Sequence, residues 1–170
     1  GSSNTGTLTN GPRWISGYRA GGLRFDGSDD YVALPAKAGF GSTQDHSFAA
    51  WVNPSSLAGT YTWLVDYGGT PGSAGSSLII YSATDVPAFF YAGGSSFVLG
   101  TRALPLNQWS HIIASYSSTT KKVTFYVNGV LDTETATLSS WSASPSTAHY
   151  LGQWFNGNYR FAGSLDDVRV

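Results

Sequence analysis

Three aspartates share one turn near the start of the chain, in the segment FDGSDDY. Asp26, Asp29 and Asp30 place their carboxylates around Gly27, and Asp166 adds another carboxylate close to the end of the chain. Calcium is the cation that suits such groups, because it takes about six to eight oxygen ligands in flexible geometry. The other interpretation is that Asp26 and Asp29 form Asx-type turns and that Asp167 accepts hydrogen bonds from backbone amides. The residues therefore indicate either a structural calcium site or a set of turn-forming carboxylates.

Aromatic and amide side chains are concentrated in residues 152–161, GQWFNGNYRF, which should connect two strands. Flat rings can stack on the faces of sugars, while amide and guanidinium groups bind the hydroxyls. We expect ligand-binding residues here and at two further aromatic positions. The expected set is Trp154, Phe155, Asn156, Asn158, Tyr159, Arg160, Trp63 and Trp141. Alternatively, Trp63 belongs to the core, since it precedes Leu64 and Val65 in a strand-like run.

A catalytic site of the glycosidase type is not predicted. Glycoside hydrolases place two carboxylates on either side of the bond that is cleaved. Glu134 is the only glutamate, and Asp132 lies two positions before it, so on a strand the two side chains would be neighbours on one face. His111 and Tyr116 are residue types that a polysaccharide lyase could use for proton transfer, but a single histidine on a strand is more often structural. We expect no catalytic residues.

The elements that carry these groups should be strands. In the segment VTFYVNG, residues 123–129, apolar and polar residues alternate, and the Asn-Gly pair tolerates the positive φ angles of a two-residue hairpin turn. Short runs of this type, separated by Gly, Ser, Asn or Pro, recur along the chain, and only residues 138–143 could form a helical turn. An all-β sandwich of two antiparallel sheets is predicted.

The segment SFAAWVN, residues 47–53, shows which side chains should enter the core. Phe48, Ala50 and Val52 would face one side of the strand, because alternate residues point to opposite faces. Trp51 and Tyr126 have the opposite parity. They should lie either under a covering loop or on a curved open face.

Four segments occur in an order that is typical of one family. They are GGLRFDGSDDYVALP (21–35), SFAAWVNPSS (47–56), a Trp-x-His-x-x-x-x-Tyr pattern starting at residue 109 and followed by FYVNG, and FAGSLDDVRV (161–170). Together they resemble the LamG-like jelly-roll domains of the concanavalin A-like lectin/glucanase superfamily. The resemblance implies a jelly-roll topology whose first and last strands lie side by side, so that one calcium ion could link both ends. It also implies an extracellular or cell-surface location.

Composition narrows the class of protein further. The formal net charge of -1 and the pI of about 6.3 give no basic excess for binding phosphates, so nucleic acid is not an expected partner. No apolar run approaches the roughly 20 residues that span a bilayer, and we expect no membrane insertion. The 170 residues fit a single domain, 1–170, in which Gly1 and Ser2 are interpreted as a remnant of cloning.

The function predicted from the sequence is carbohydrate binding or adhesion without catalysis, by a module of a larger extracellular or cell-surface protein. The expected partners are a glycan or polysaccharide and the other domains of that protein, and the expected cofactor is structural calcium. The alternative is a structural spacer or protein-interaction domain without a sugar site.

Overall fold

The computed structural model describes residues 5–68, 75–91, 96–145 and 147–170. Gly1 and Ser2, interpreted above as a remnant of cloning, lie outside these residues. Within them the chain forms fourteen strands. The first seven are β1 (Thr7–Thr9), β2 (Arg13–Ser16), β3 (Gly21–Asp26), β4 (Tyr31–Lys37), β5 (His46–Ser56), β6 (Tyr61–Tyr67) and β7 (Ser76–Tyr81). The other seven are β8 (Val86–Tyr91), β9 (Ser96–Leu99), β10 (Ser110–Ser117), β11 (Lys122–Val127), β12 (Val130–Glu134), β13 (Thr147–Leu151) and β14 (Ala162–Arg169).

The strands form two antiparallel sheets of seven strands each. Sheet A has the order β1-β4-β13-β6-β7-β8-β9, and sheet B has the order β12-β11-β10-β5-β14-β3-β2. The described residues contain no helix, and residues 138–143 are irregular rather than helical. The predicted all-β, two-sheet jelly-roll sandwich is confirmed. None of the described residues belongs to a helix that could cross a membrane.

Alternate residues of the central strands meet between the two sheets. Phe48, Ala50 and Val52 of β5 are fully buried, as the sequence predicts. On the neighbouring strand β10, Ala114 pairs with Phe48 and Ile112 pairs with Ala50, and both are also fully buried. The alternation therefore places one face of each strand in the core and leaves the other face for contacts outside it.

The hairpin between β11 and β12 has the predicted turn. Asn128 and Gly129 have φ angles of 54° and 77°, the left-handed conformation that a two-residue hairpin turn requires. A Cβ at Gly129 would meet no atom within 4 Å. Glycine is favoured here by backbone conformation and not by lack of space.

The last strand lies beside an early one, as the family resemblance implies. In sheet B, β14 is placed between β5 and β3. Leu165 of β14 pairs with Leu23 of β3 and with Val52 of β5, and it is buried in the main core. The two ends of the domain are thereby joined by backbone hydrogen bonds and by packing.

A second, smaller core lies on the outer face of sheet A. It contains Trp63 of β6, Ile79 of β7 and Phe90 of β8, whereas Leu78 and its alternate neighbours enter the main core. Because both faces of these strands are covered, they are apolar at consecutive positions. Residues 152–161, called the aromatic loop below, cover this second core.

Two strands, β1 and β2, were not predicted from the sequence, and β12 was predicted only as the strand that follows the hairpin turn. Each lies at the edge of a sheet. Their side chains are exposed or only partly buried, so they lack the buried apolar alternation that identifies a strand.

Candidate functional site

Backbone hydrogen bonds attach the aromatic loop to β6. The N–H of Gly152 donates to the carbonyl of Leu64 at 3.1 Å, and the N–H of Trp63 donates to the carbonyl of Tyr159 at 2.9 Å. The N–H of Phe161 closes the base of the loop on the carbonyl of Gly152 at 2.9 Å. The loop is therefore anchored along both arms, which gives its side chains a fixed support.

Trp63 contacts two rings of the aromatic loop, which also contact each other. Its ring centroid is 5.1 Å from that of Trp154 and 5.0 Å from that of Tyr159, with interplanar angles of 27° and 28°. Only 1% of Trp63 is exposed, so neither face of its indole is free for a ligand. The structure places Trp63 in the second core, which corrects its assignment to the ligand-binding set.

Four aromatic rings form an exposed surface beside the loop, and we call them the aromatic platform: Tyr61, Tyr81, Phe97 and Tyr159. The ring centroid of Tyr61 is 5.6 Å from those of Tyr81 and Phe97 and 5.7 Å from that of Tyr159. Phe97 is 37% exposed and Tyr159 is 39% exposed, while the other two are half-buried. The platform is a continuous aromatic surface, and of its members Tyr159 belongs to the ligand-binding set predicted above.

The other predicted residues of the loop are neighbours of Tyr159 in sequence, and the ring of Trp154 contacts that of Tyr159, with centroids 5.6 Å apart. Trp154 and Phe155 are half-buried and meet edge to face, with ring centroids 4.8 Å apart. Asn156 and Asn158 are exposed at the tip, where Oδ1 of Asn156 accepts a hydrogen bond from the N–H of Asn158 at 3.0 Å. The loop thus brings amide groups to one border of the aromatic platform.

Several buried polar groups of the aromatic loop and of the adjoining Trp63 have no hydrogen-bond partner among the described residues. Gln153 is 4% exposed, and its Oε1 has no partner among the described residues, nor does Nη1 of Arg160 or Nε1 of Trp63 and Trp154. A Cβ at Gly157 would lie 3.2 Å from Nη2 of Arg160 and 4.0 Å from Oε1 of Gln153, so both groups approach the same point. Buried polar atoms usually have a partner in the protein, a ligand or a water.

Trp141 is not part of this surface. It is 7% exposed and packs in the main core, and its Nε1 donates a hydrogen bond to the carbonyl of Phe40 at 3.0 Å. Its ring contacts Tyr116, with centroids 4.7 Å apart. The expectation that Trp141 binds ligand is wrong, because the serine-rich segment around it folds inward against the core.

The acidic turn forms as the sequence predicts. One carboxylate oxygen from each of Asp26, Asp29 and Asp30 lies within 4.8 Å of the others. Oδ1 of Asp26 accepts hydrogen bonds from the N–H groups of Ser28 and Asp29, and Oδ2 of Asp30 accepts one from the N–H of Asp26. The bond from Ser28 is the main cause that lowers the pKa of Asp26. The Asx-turn interpretation is thereby confirmed for Asp26.

The same turn retains oxygens that could hold a cation. Within the described part of the chain, Oδ2 of Asp26, Oδ1 of Asp30 and both carboxylate oxygens of Asp29 accept no hydrogen bond. Arg13 and Arg24, which pair across β2 and β3, line the hollow beside this turn. The donor set fits calcium, and the guanidinium groups nearby also offset part of the negative charge.

Asp166 is remote from the acidic turn. Asp26 pairs with Ala162 of β14, and Asp166 lies four residues further along that strand, about 13 Å away at the rise of a β-strand. Its carboxylate accepts hydrogen bonds from the N–H groups of Arg19 and Asp167, each at 2.7 Å, and Asp166 is 6% exposed. Its assignment as a metal ligand is wrong, and its role is to anchor backbone.

The two acidic residues of β12 are engaged in structural contacts. Asp132 accepts hydrogen bonds from the backbone N–H and the hydroxyl of Thr101, each at 2.7 Å. Glu134 forms an ion pair with Lys122 at 2.7 Å. These contacts connect β12 to neighbouring segments.

A family model matches most of the chain. The model named Laminin_G_3, described as the concanavalin A-like lectin/glucanases superfamily, matches residues 26–170. The chain belongs to this superfamily. The LamG-like resemblance that the four sequence segments indicate is therefore confirmed.

Several solved structures resemble the domain over most of its length. Domain 4 of AbnA, a GH43 extracellular arabinanase from Geobacillus stearothermophilus, in complex with arabinotriose, has a TM-score of 0.74 at 20% identity, covering 96% of this chain and 80% of that chain. The carbohydrate-binding module CBM66 from Bacillus subtilis has a TM-score of 0.57 at 14% identity, covering 98% and 95%. The native heptameric SAP-like pentraxin from Limulus polyphemus has a TM-score of 0.64 at 13% identity, covering 87% and 74%.

At these identities the likeness establishes the fold, and the function must be argued from the site. A comparison with curated protein sequences finds no significant match.

Proposed function

We propose that this domain is a non-catalytic carbohydrate-binding or adhesion module and that the aromatic platform is its sugar-binding surface. The observation that carries the proposal is the continuous set of two exposed rings, Phe97 and Tyr159, and two half-buried rings, Tyr61 and Tyr81, beside the anchored aromatic loop. Single exposed apolar residues are ordinary, but a contiguous aromatic surface usually marks a place of interaction.

The chemistry of the platform suits a saccharide. The C–H face of a sugar ring is apolar and can lie on an aromatic ring, while its hydroxyls need hydrogen-bond partners at the border. Asn156 and Asn158 supply amide groups at the exposed tip of the loop, and Arg160 supplies a guanidinium. Because the loop is attached to β6 by backbone hydrogen bonds, binding would require little ordering of the protein.

Two structural relatives agree with this proposal. One is an arabinanase domain described in complex with arabinotriose, and another is described as a carbohydrate-binding module. A role without catalysis is supported by the two acidic side chains of β12. The carboxylate of Asp132 accepts a hydrogen bond from Thr101, and that of Glu134 forms an ion pair with Lys122. The arabinanase is described as extracellular, in keeping with an extracellular or cell-surface location for this domain as part of a larger protein.

Calcium is the proposed structural cofactor of the acidic turn. Asp26, Asp29 and Asp30 would hold it through the carboxylate oxygens that accept no hydrogen bond. The ion would neutralise like charges that otherwise repel each other in one turn, and it would thereby stabilise the connection between β3 and β4.

A glycan array that includes plant, fungal and bacterial polysaccharides tests the proposed function. A carbohydrate-binding module should bind a restricted group of glycans that share a sugar or linkage. A structural spacer or a protein-interaction domain should bind none of them, and its aromatic platform would then be covered by a neighbouring domain. An array without any signal would therefore favour this alternative.

A further inference from the structure

A cleft lies on the outer face of sheet B, on the side of the sandwich opposite the aromatic platform. Its volume is about 530 Å³, within the range of small-ligand sites. It is lined by Tyr18, Trp51, Trp109, His111, Asn128 and Gly129. No contact of the aromatic platform involves these residues, so the cleft is a separate feature of the molecule.

Aromatic rings form one wall of this sheet B cleft. Tyr18 stacks on Trp51 with ring centroids 3.5 Å apart and an interplanar angle of 18°, and its ring meets that of Trp109 edge to face at 6.4 Å. Tyr18 is nevertheless 51% exposed. Trp51 is covered on one face by Tyr18, whereas the outer face of Tyr18 is open to a ligand.

The turn that carries Tyr18 is held in place from below. Its ends are joined by a hydrogen bond from the N–H of Gly17 to the carbonyl of Ala20 at 2.8 Å, and Asp166 accepts the N–H of Arg19 at 2.7 Å. A Cβ at Gly17 would lie 2.5 Å from Oδ2 of Asp166, so the turn is packed closely on that carboxylate. The position of the Tyr18 ring is therefore fixed before any ligand binds.

Polar groups face the same cleft. Oδ1 of Asn128 accepts the backbone N–H of His111 at 2.8 Å, which leaves the amide nitrogen of Asn128 as a donor. The His111 ring lies 5.0 Å from that of Trp51 and makes no side-chain hydrogen bond among the described residues. Burial lowers the pKa of His111, so at neutral pH its imidazole offers one donor and one acceptor.

A distorted stretch of β14 contributes charge near the cleft. The pairing with β5 shifts register between Asp166 and Arg169, and Asp167 has a φ of 48°. In this conformation the carboxylate of Asp167 binds the guanidinium of Arg169 through two hydrogen bonds of 2.9 Å, and both charges act on His111. Bulges often redirect side chains at binding sites. The charges of Asp167 and Arg169 balance each other, and the further charge that acts on His111 is the exposed guanidinium of Arg19. A single exposed charge is screened by salt and does not select a strongly charged ligand.

We propose that the sheet B cleft is a second saccharide-binding site, which takes a neutral sugar ring against Tyr18 and Trp109 while His111 and Asn128 bind its hydroxyls. The ligand class rests on the proposed function of the domain, but the site does not share residues with the aromatic platform. A module with sites on both faces would link two glycan chains, and its apparent affinity for a polysaccharide surface would exceed that of either site.

The test follows the indole N–H signals of the six tryptophans by NMR, with each signal assigned by a single Trp→Phe variant. The probes are neutral oligosaccharides of arabinose, xylose and glucose, titrated separately. Binding in the cleft should shift the signals of Trp51 and Trp109, and Tyr18→Ala should weaken this response about tenfold. Tyr159→Ala, the control on the opposite face, should leave it unchanged.

The outcomes separate the two proposals. Shifts confined to Trp63 and Trp154 would overturn the second site and leave the platform as the sugar-binding surface. Shifts confined to Trp51 and Trp109 would support the cleft and overturn the platform. A response of Trp51 and Trp109 that survives Tyr18→Ala at full strength contradicts the proposed contact, and no shift of any signal overturns both sites.

Discussion

The indole rings of Trp63 and Trp154 are stacked, with centroids 5.1 Å apart and planes inclined by 27°. Ninety-one positions separate the two residues in sequence, and the contact joins the aromatic loop to β6. Through this contact Trp154 belongs mainly to the second core. The rings that remain available to a ligand are those of the neighbouring aromatic platform.

The first prediction concerns Trp154. Trp154→Ala should lower the free energy of unfolding by about 2 kcal/mol, less than for a fully buried tryptophan, because the ring is half-buried but contacts Trp63 and Tyr159. Urea denaturation at neutral pH measures the change. The matched control is Trp14→Ala, since Trp14 is 70% exposed and its replacement should change stability by less than about 0.5 kcal/mol. Equal effects of the two substitutions would contradict the second core.

Calcium provides the second prediction. If the acidic turn binds the ion, calcium at roughly 100 times its dissociation constant should stabilise the domain by about 2.7 kcal/mol, and a chelator should reverse the effect. Differential scanning calorimetry would then show a melting temperature higher by about 5 °C or more. Asp29→Asn should abolish this response. If neither calcium nor the chelator changes the melting temperature, the acidic turn does not bind calcium and its three carboxylates only support the turn.

Asp166 provides a contrasting case. Asp166→Ala should destabilise the domain by about 1 kcal/mol, because the partly buried N–H groups of Arg19 and Asp167 lose their acceptor. The dependence of the melting temperature on calcium should remain that of the unsubstituted domain, since Asp166 lies away from the acidic turn. Loss of the calcium response in this variant would restore Asp166 to the metal site.

Acid should destabilise the domain through His46. Burial lowers the pKa of His46 below its ordinary value of 6.5. Its Nδ1–H donates to the carbonyl of Gln44 and its Nε2 accepts from the hydroxyl of Ser76 in the neutral form. The unfolded chain therefore takes up a proton more readily than the folded one below pH 6.5. Stability is full above that pH and falls as the pH decreases toward the lowered pKa of the folded state.

Unfolding in urea at pH 7.5 and pH 5 measures this loss. The variant His46→Phe, whose ring would lie among Phe40, Phe48 and Phe89, should lose less stability between the two pH values, even if it is less stable overall. His149, whose pKa burial also lowers, accounts for part of the remaining change. An unchanged pH dependence in the variant would exclude His46 as a source of the effect.

The fold was largely predictable because the alternation of apolar and polar residues within each central strand shows which face is buried. The fully buried residues Phe48, Ala50 and Val52 alternate with less buried ones, and Asn128 and Gly129 adopt the positive φ angles that their types favour. The edge strands β1 and β2 were not predicted, because pairing on one side fixes them without burying an apolar face.

The site was predictable only in part. The aromatic loop was found from its composition, but the burial of Trp63 and Trp141 depends on contacts with distant segments. Phe97 and Tyr81 reach the platform through the pairing of β7, β8 and β9. The sheet B cleft was missed, although the outward parity of Trp51 was a usable signal, because Tyr18 meets Trp51 through a turn whose position depends on Asp166.

The most direct test of the sugar-binding surface compares three variants on the polysaccharide that the unsubstituted domain binds best. Tyr159→Ala and Phe97→Ala each remove an exposed ring of the platform, and each should weaken binding about tenfold in affinity electrophoresis. Tyr159→Phe keeps the ring and should bind nearly as well as the unsubstituted domain, with melting temperatures recorded for all three as a check on folding. Unchanged binding in both alanine variants, or no retention of the unsubstituted domain by any polysaccharide, would contradict the assignment of the aromatic platform as a sugar-binding surface.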